Sequence, residues 1–204
     1  PEGMWGHSNR GPTADGRTKP DIVSPGSAIV SVKSAYKDGN FDLNDYYSVK
    51  SGTSMATPIT AGTVALLIEY LNNHGYDCNL ANSPSSNNCP DSALIKGILS
   101  ASAHDLEGQY FSGGDGENGA VEKSPNPHEG WGRVDLERAV GSGFTEGIDI
   151  ATDDSHSFKL SVPDSGIDSL RVVLSWNEQE NGVTAGTQLR NDLDIYLKSP
   201  TGVQ

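Results

Sequence analysis

Ser54 lies within Ser51-Gly52-Thr53-Ser54-Met55-Ala56, where a Gly-Thr-Ser turn presents a hydroxyl and a helix of unusually small residues follows at once. A serine hydroxyl becomes a nucleophile when a base removes its proton, and the oxyanion formed by its attack needs hydrogen-bond donors. A helix start supplies them, because its first N–H groups lack intrahelical partners and the positive end of the dipole lies there. Gly52 keeps the approach to the hydroxyl open. A serine at this point is more commonly a helix cap, so the chemistry turns on which of the two Ser54 is.

The positioning elements can be read on either side. From Thr53 to about His74, Ala56, Ile59, Thr60, Thr63, Leu66, Leu67, Tyr70 and Leu71 recur at helical spacing. The pattern is nearly apolar until Glu69, which predicts a helix buried on most sides, with Ala61, Gly62 and Ala65 offering a surface for close backbone approach. Pro58 is tolerated in the first turn, and His74-Gly75 ends the helix. Upstream, Asp21–Val23 reads as a short buried strand before a Pro-Gly turn and Ile29–Ser34 as another strand. Residues 37–45 form a surface loop, and Tyr46–Lys50 leads as an extended piece into Gly52. Downstream, a second helix starts at Pro90-Asp91-Ser92, with Ala93, Leu94, Ile95, Ile98, Leu99 and Ala101 inward. Residues 107–128 are loop, and Gly130-Trp131-Gly132 precedes a short helix from Asp135. Beyond that the period changes to two. Phe158, Leu160 and Val162, then Leu170, Val172, Leu174 and Trp176, then Leu193, Ile195 and Leu197 alternate with polar residues, as antiparallel strands do. The change predicts two domains, 1–145 and 146–204, the second an incomplete β domain.

The 204 residues suffice to bury a core, and 24 glycines and 11 prolines predict many loops. The formal charge of −13 weighs against nucleic acid, whose binding relies on neutralising phosphates, and suits either simple solubility or calcium binding. No apolar run reaches 18 residues, so no membrane span is expected, and the first residues are not a signal peptide. The chain reads as the interior of something longer. Cys78 and Cys89 flank a polar loop that a surface disulfide could clip, which would imply an oxidising compartment; their spacing fits no zinc pattern.

Gly52-Thr53-Ser54-Met55-Ala56-Thr57-Pro58, with Ala61-Gly62 behind it, resembles the serine signature of subtilisin-like serine proteases. Ser8-Asn9-Arg10-Gly11-Pro12 and Lys19-Pro20-Asp21-Ile22-Val23-Ser24-Pro25-Gly26 resemble that family's stretch before the serine. Gly130-Trp131-Gly132-Arg133-Val134 resembles the segment closing its catalytic domain. Asn191-Asp192-Leu193-Asp194 with Ser199-Pro200-Thr201-Gly202 is similar to the β-sandwich carried by alkaline-protease relatives. One departure is Ile59-Thr60, where the family usually has His-Val. The resemblance implies an α/β fold, here the C-terminal portion of a three-layer domain with a parallel sheet, followed by an incomplete jelly-roll or sandwich. It implies a secreted endopeptidase acting on polypeptides, with Ser54 as acyl-forming nucleophile and no catalytic cofactor. The Ser54 backbone N–H would serve the oxyanion, with support from Thr53. Lys50, Ser51 and Met55 would border the leaving-group side, and Met55 would sit where oxidation adds bulk and polarity.

In that family the triad runs Asp, His, Ser, with the oxyanion Asn roughly 65 residues and the His roughly 155 before the Ser. Only 53 residues precede Ser54. The base, its Asp and the oxyanion Asn are therefore expected off this chain, and the 204 residues alone are expected to be inactive. His7, His74, His104, His128 and His156 all lack the His-Gly-Thr context of the family's base and read as surface or capping residues. Asp164-Ser165-Gly166 imitates the surroundings of a catalytic Asp, but it follows the serine and reads as a turn. Asp192 and Asp194 share one strand face, which is either solvated or, as the resemblance implies, holds structural Ca²⁺. The rival reading is a non-catalytic pseudo-protease whose β domain contacts a partner.

Overall fold

A computed structural model describes residues 3–33, 46–78, 88–106, 109–111, 119–120, 123–162, 166, 169–182, 186, 189–199 and 202–203. The expected loop at 37–45, most of the loop between the cysteines, Asp164-Ser165 and Pro200-Thr201 lie outside these residues. Gly166 has φ 84°, a turn conformation, in keeping with a turn there.

Among the described residues three helices form where periodicity calls for them, two of them behind a capping aspartate. The first, α1, spans Thr53–Asn72; α2 spans Ser92–Ser102 and α3 Leu136–Val140. Asp91 caps α2 by accepting from Leu94 N at 2.6 Å, and Asp135 caps α3 by accepting from Arg138 N at 3.1 Å. Their apolar faces meet in one core of Leu67, Leu71, Leu94, Ile98, Leu99, Val134 and Ala139. Each buried leucine contributes about 2 kcal/mol of transfer free energy.

The strands are shorter than helix-centred reasoning anticipates. β1 (Met4–Trp5) pairs in parallel with β4 (Gln109–Phe111), which pairs antiparallel with β5 (Gly119–Ala120). β2 (Ile29–Val32) runs antiparallel to β3 (Tyr47–Lys50) in the register Ile29–Lys50 to Val32–Tyr47. β4 and β5 fall inside the 107–128 segment expected to be loop; runs of two or three residues are too short to show alternation.

A tighter structure joins Asp21–Val23, His104 and Gly130–Val134. Trp131 N donates to Asp21 O at 2.8 Å, Val23 N to Gly132 O at 2.9 Å, and Val134 N to Val23 O at 2.9 Å. Arg133 and His104 exchange both backbone bonds at 2.8 Å. The bracketing glycines are a steric requirement. A Cβ on Gly130 (φ 63°) would lie 1.9 Å from Pro20 O, and one on Gly132 (φ 124°) 2.4 Å from His104 O.

Two expectations need correction. Only Leu67 and Leu71 of α1 are buried, and Leu66 is 53% exposed, so the helix is not buried on most sides. Its C-terminal half packs on the core, whereas a Cβ on Gly62 would meet nothing within 4 Å. Among the described residues, Gly62 on the small-residue surface has no close neighbour. By length and composition alone α1 could cross a membrane, a property that its Thr, Gly and Pro residues hide from a reading of unbroken apolar runs. The second correction concerns the alternating segments after residue 145. Among the described residues they form no strand ladder, and β6 (Lys198–Ser199) paired with β7 (Gly202–Val203) is the one strand pair there. Phe158, Leu160, Leu170 and Ile195 are exposed. Alternation marks a face that could be buried; a strand also needs a neighbour for its backbone groups.

Segment 171–177 instead lies along α2. Asn177 Oδ1 accepts from Ser92 Oγ at the helix start, a Cβ on Gly97 would sit 3.3 Å from Ser175 Cβ, and Arg171 reaches the helix end. Six extended steps cover roughly 20 Å, enough to run the roughly 16 Å of an eleven-residue helix. Arg171 Nη1 donates to Ala103 O at 2.8 Å, Trp131 O at 3.2 Å and Ser100 O at 3.3 Å, and Nη2 to Ser124 Oγ at 3.0 Å. A cation there also meets the negative end of the helix dipole. At the opposite end Glu146 accepts from Asp91 N at 2.8 Å and from the Tyr76 hydroxyl; burial and that carboxylate push Tyr76 up to about 12. Arg171→Met is expected to cost about 2 kcal/mol, seen as a lower urea midpoint of the chain; an unchanged midpoint would show that the strap adds no stability.

Candidate active site

The turn that carries Ser54 is held from behind. Gly52 N donates to Gly26 O at 2.7 Å, and Ala28 N donates to Ser51 Oγ at 2.8 Å. The contact is close: a Cβ on Gly26 would lie 2.8 Å from Gly52 O and 3.2 Å from Ala56 Cβ. Gly52 has φ 150° and ψ 166°, a conformation that strains any residue with a Cβ, and it is the N-cap of α1.

Ser54 is therefore not the cap. It sits at the second position of α1, no side chain caps the helix, and the residue is exposed. Met55 N and Ala56 N both point to Gly52 O, at 3.0 and 3.3 Å. Among the described residues nothing accepts from the Thr53 or Ser54 N–H, and nothing hydrogen-bonds the Ser54 hydroxyl. Thr53 is exposed, and its carbonyl accepts from Thr57 Oγ1 at 2.9 Å. Lys50 ends β3 opposite Ile29, and the Met55 sulfur lies beside Gly52. Thr53, Ser54 and Met55 thus share one turn with Ser51 and Lys50 just before it.

The other candidate residues lie elsewhere. His7 meets Trp5 edge-on, and His74 stacks on Tyr70 with Nδ1 2.7 Å from Tyr70 O. His156 stacks on Phe158, His104 belongs to the seam with Arg133, and His128 to the turn before Gly130. Cys78 and Cys89 form the disulfide, which by chain entropy contributes about 3 kcal/mol for a loop of this length. Asp192 and Asp194 are exposed, and Asp194 Oδ2 accepts from the Tyr196 hydroxyl at 3.4 Å. Among the described residues no three His, Cys, Asp or Glu side chains gather as metal ligands. Ca²⁺ takes roughly six to eight oxygens, of which Asp192 and Asp194 would supply a part.

Two acidic residues matter more than sequence reasoning suggests. Asp21 sits between Lys19 and Lys96, the latter at 3.1 Å. Burial alone would raise its carboxyl, but the two lysines outweigh it and hold it below the ordinary value. Glu129 is fully buried; it accepts from Leu106 N at 2.9 Å and from Asn126 Nδ2 at 2.8 Å. Burial, and then the neighbouring Asp105 carboxylate, push it above the ordinary glutamate range against those two donors. Asp105 in turn accepts from Ser124 N at 3.2 Å. The glycine after Glu129 was the one sequence signal that this turn is tightly enclosed.

The profile of the Subtilase family matches residues 3–132. A serine protease/ABC transporter B family protein (tagB) of Dictyostelium discoideum is 35% identical over 144 residues, which make up 64% of this chain and 8% of that protein. Serine protease AprX of Bacillus subtilis is 46% identical over 67 residues, 30% of this chain and 15% of its own length. Pyrolysin of Pyrococcus furiosus is 38% identical over 106 residues, 52% of this chain and 6% of its own length. The chain thus spans a small part of each of these relatives. The chain belongs to the Subtilase family and has its subtilisin-like α/β fold.

The Glu129–Asp105 pair makes stability depend on pH. An acid raised in the folded state stabilises fully below its ordinary value, and that contribution is lost as pH rises through the raised value. Asp105→Asn keeps an acceptor for Ser124 N and removes the like charge. It is expected to be more stable than the parent at about pH 8, by on the order of 1 kcal/mol, with the gain vanishing near pH 4. Urea midpoints at the two pH values measure this; an equal difference at both would rule out the repulsion.

Proposed function

We propose that this chain supplies the nucleophile of a serine endopeptidase, Ser54, to a complete protein whose base His, orienting Asp and oxyanion Asn come from outside these residues. The observation that carries the reading is that Ser54, within a Gly-Thr-Ser-Met-Ala signature, is exposed in the first turn of α1 and does not cap it. A capping serine would have its hydroxyl committed to the backbone. This one is open to a base and to an acyl group.

In the proposed reaction the base takes the proton of Ser54 Oγ as Oγ bonds to the scissile carbonyl carbon. The Ser54 N–H donates to the resulting oxyanion, with Thr53 supporting that side. The C–N bond then breaks, the departing amine takes the proton from the base, and water hydrolyses the acyl-enzyme. Lys50 and Met55 border the leaving group. Secretion agrees with the disulfide, and polypeptide substrates follow from membership of the family. The segment from about residue 146 is proposed as the start of a β-sandwich held on α2.

The complete protein is expected to be labelled at Ser54 by a fluorophosphonate, and Ser54→Ala to abolish labelling and lower kcat by roughly a millionfold, as loss of the nucleophile does in subtilisin-type enzymes. Persistent labelling of Ser54→Ala would reject Ser54, and an unlabelled parent would favour a non-catalytic binding module. The 204 residues alone are expected to show no turnover on a peptide substrate; turnover by the pure chain would mean that it contains its own base.

A further inference from the structure

The backbone behind Ser54 departs from regular pairing at one position. The β2–β3 register ends at Ile29–Lys50, and continuing it would set Ala28 opposite Ser51 and Ser27 opposite Gly52. Gly52 N instead donates to Gly26 O at 2.7 Å. One more residue is used on the Gly26 side, so Ser27 and Ala28 together face Ser51, which is a β-bulge. Ala28 takes φ 54°, a left-handed conformation costly for a residue with a Cβ. Its N–H finds its acceptor in a side chain, Ser51 Oγ at 2.8 Å. The Ser51 hydroxyl fills the bulge and satisfies the donor that the slipped register leaves over.

We propose that Ser51 is a positioning residue for Ser54, its hydroxyl locking the bulge that fixes Gly52 and so aims the first turn of α1. This inference rests on the reading of Ser54 as nucleophile, and it changes the role of Ser51 from bordering the leaving group to holding the turn from behind. The mechanical chain is short. Ser51 and Gly52 are each held by one bond to the 26–28 turn, at 2.8 and 2.7 Å, and Gly52 O receives both Met55 N and Ala56 N. Ser54 lies inside that loop of bonds, so a shift at Gly52 carries Ser54 Oγ and its N–H with it. Bulges next to active sites serve to re-aim a side chain, and misplacement on the scale of 1 Å can cost up to about a hundredfold in rate.

The test uses the complete protein and compares Ser51→Ala and Ser51→Thr with the parent, each checked by circular dichroism and melting. Ser51→Ala is expected to slow both kcat and the rate of fluorophosphonate labelling by about 10- to 100-fold, with KM changed less than about twofold, while Ser51→Thr, which keeps the hydroxyl, stays within about threefold of the parent. A parental labelling rate in Ser51→Ala would overturn the proposal. So would an effect confined to KM, which would return Ser51 to a substrate-contacting role, or a Ser51→Thr as slow as Ser51→Ala. Labelling that survives in Ser54→Ala would instead reject the underlying reading, whatever Ser51 does, so the two failures are distinct.

Discussion

The structure depends on the passage of Gly130-Trp131-Gly132 between the Pro20–Val23 segment and His104. Backbone meets backbone so closely there that a single methyl group on either glycine would overlap a carbonyl oxygen. The bonds on Val23, a single bridge residue rather than the short strand expected at Asp21–Val23, hold the segment that leads into Ser24-Pro25-Gly26, and that turn presses against Gly52. A contact some 80 residues downstream of Ser54 in the chain thus reaches the serine through two successive backbone seams. The glycines act by what they lack: no side chain makes these contacts, and none could be admitted.

Around the seam the electrostatics are uneven. Asp21 is balanced by two lysines on its own side, whereas Glu129 is sealed in beside Asp105 and is held, among the described residues, by the neutral donors Leu106 N and Asn126 Nδ2. Arg171 stands one residue away, on Ser124 Oγ, and spends its charge on the carbonyls at the end of α2. On a chain of net charge −13, that cation is committed to tying three separate segments rather than to offsetting the carboxylates.

Much of this was legible in the sequence, and the reasons differ by element. α1, α2 and α3 follow from spacing and from Asp91 and Asp135, whose short side chains mark helix starts locally. The nucleophile turn follows from Gly-Thr-Ser-Met-Ala and the disulfide from two cysteines and a pliable loop. Residues that act through distant partners could not be read this way. Glu129 looks like one more acidic loop residue until Leu106 and Asn126 enclose it, and Ser51 like an ordinary polar residue until Ala28 arrives from 23 positions upstream. The burial expected for α1 failed in the opposite sense. Apolar composition states what a helix could bury, while burial itself depends on which surfaces are present to receive it.

Arg171 bears on how force would travel through the chain. A pull on the C-terminal segment does not act first on the connection after α3. It meets Arg171 at one end of α2 and Asn177 at the other, so the strap is loaded in shear along the helix, with several bonds sharing the strain. The helix that shares its core with α1 would take the first load, and the glycine-containing stretch at 141–147 would lengthen only after that grip had given way.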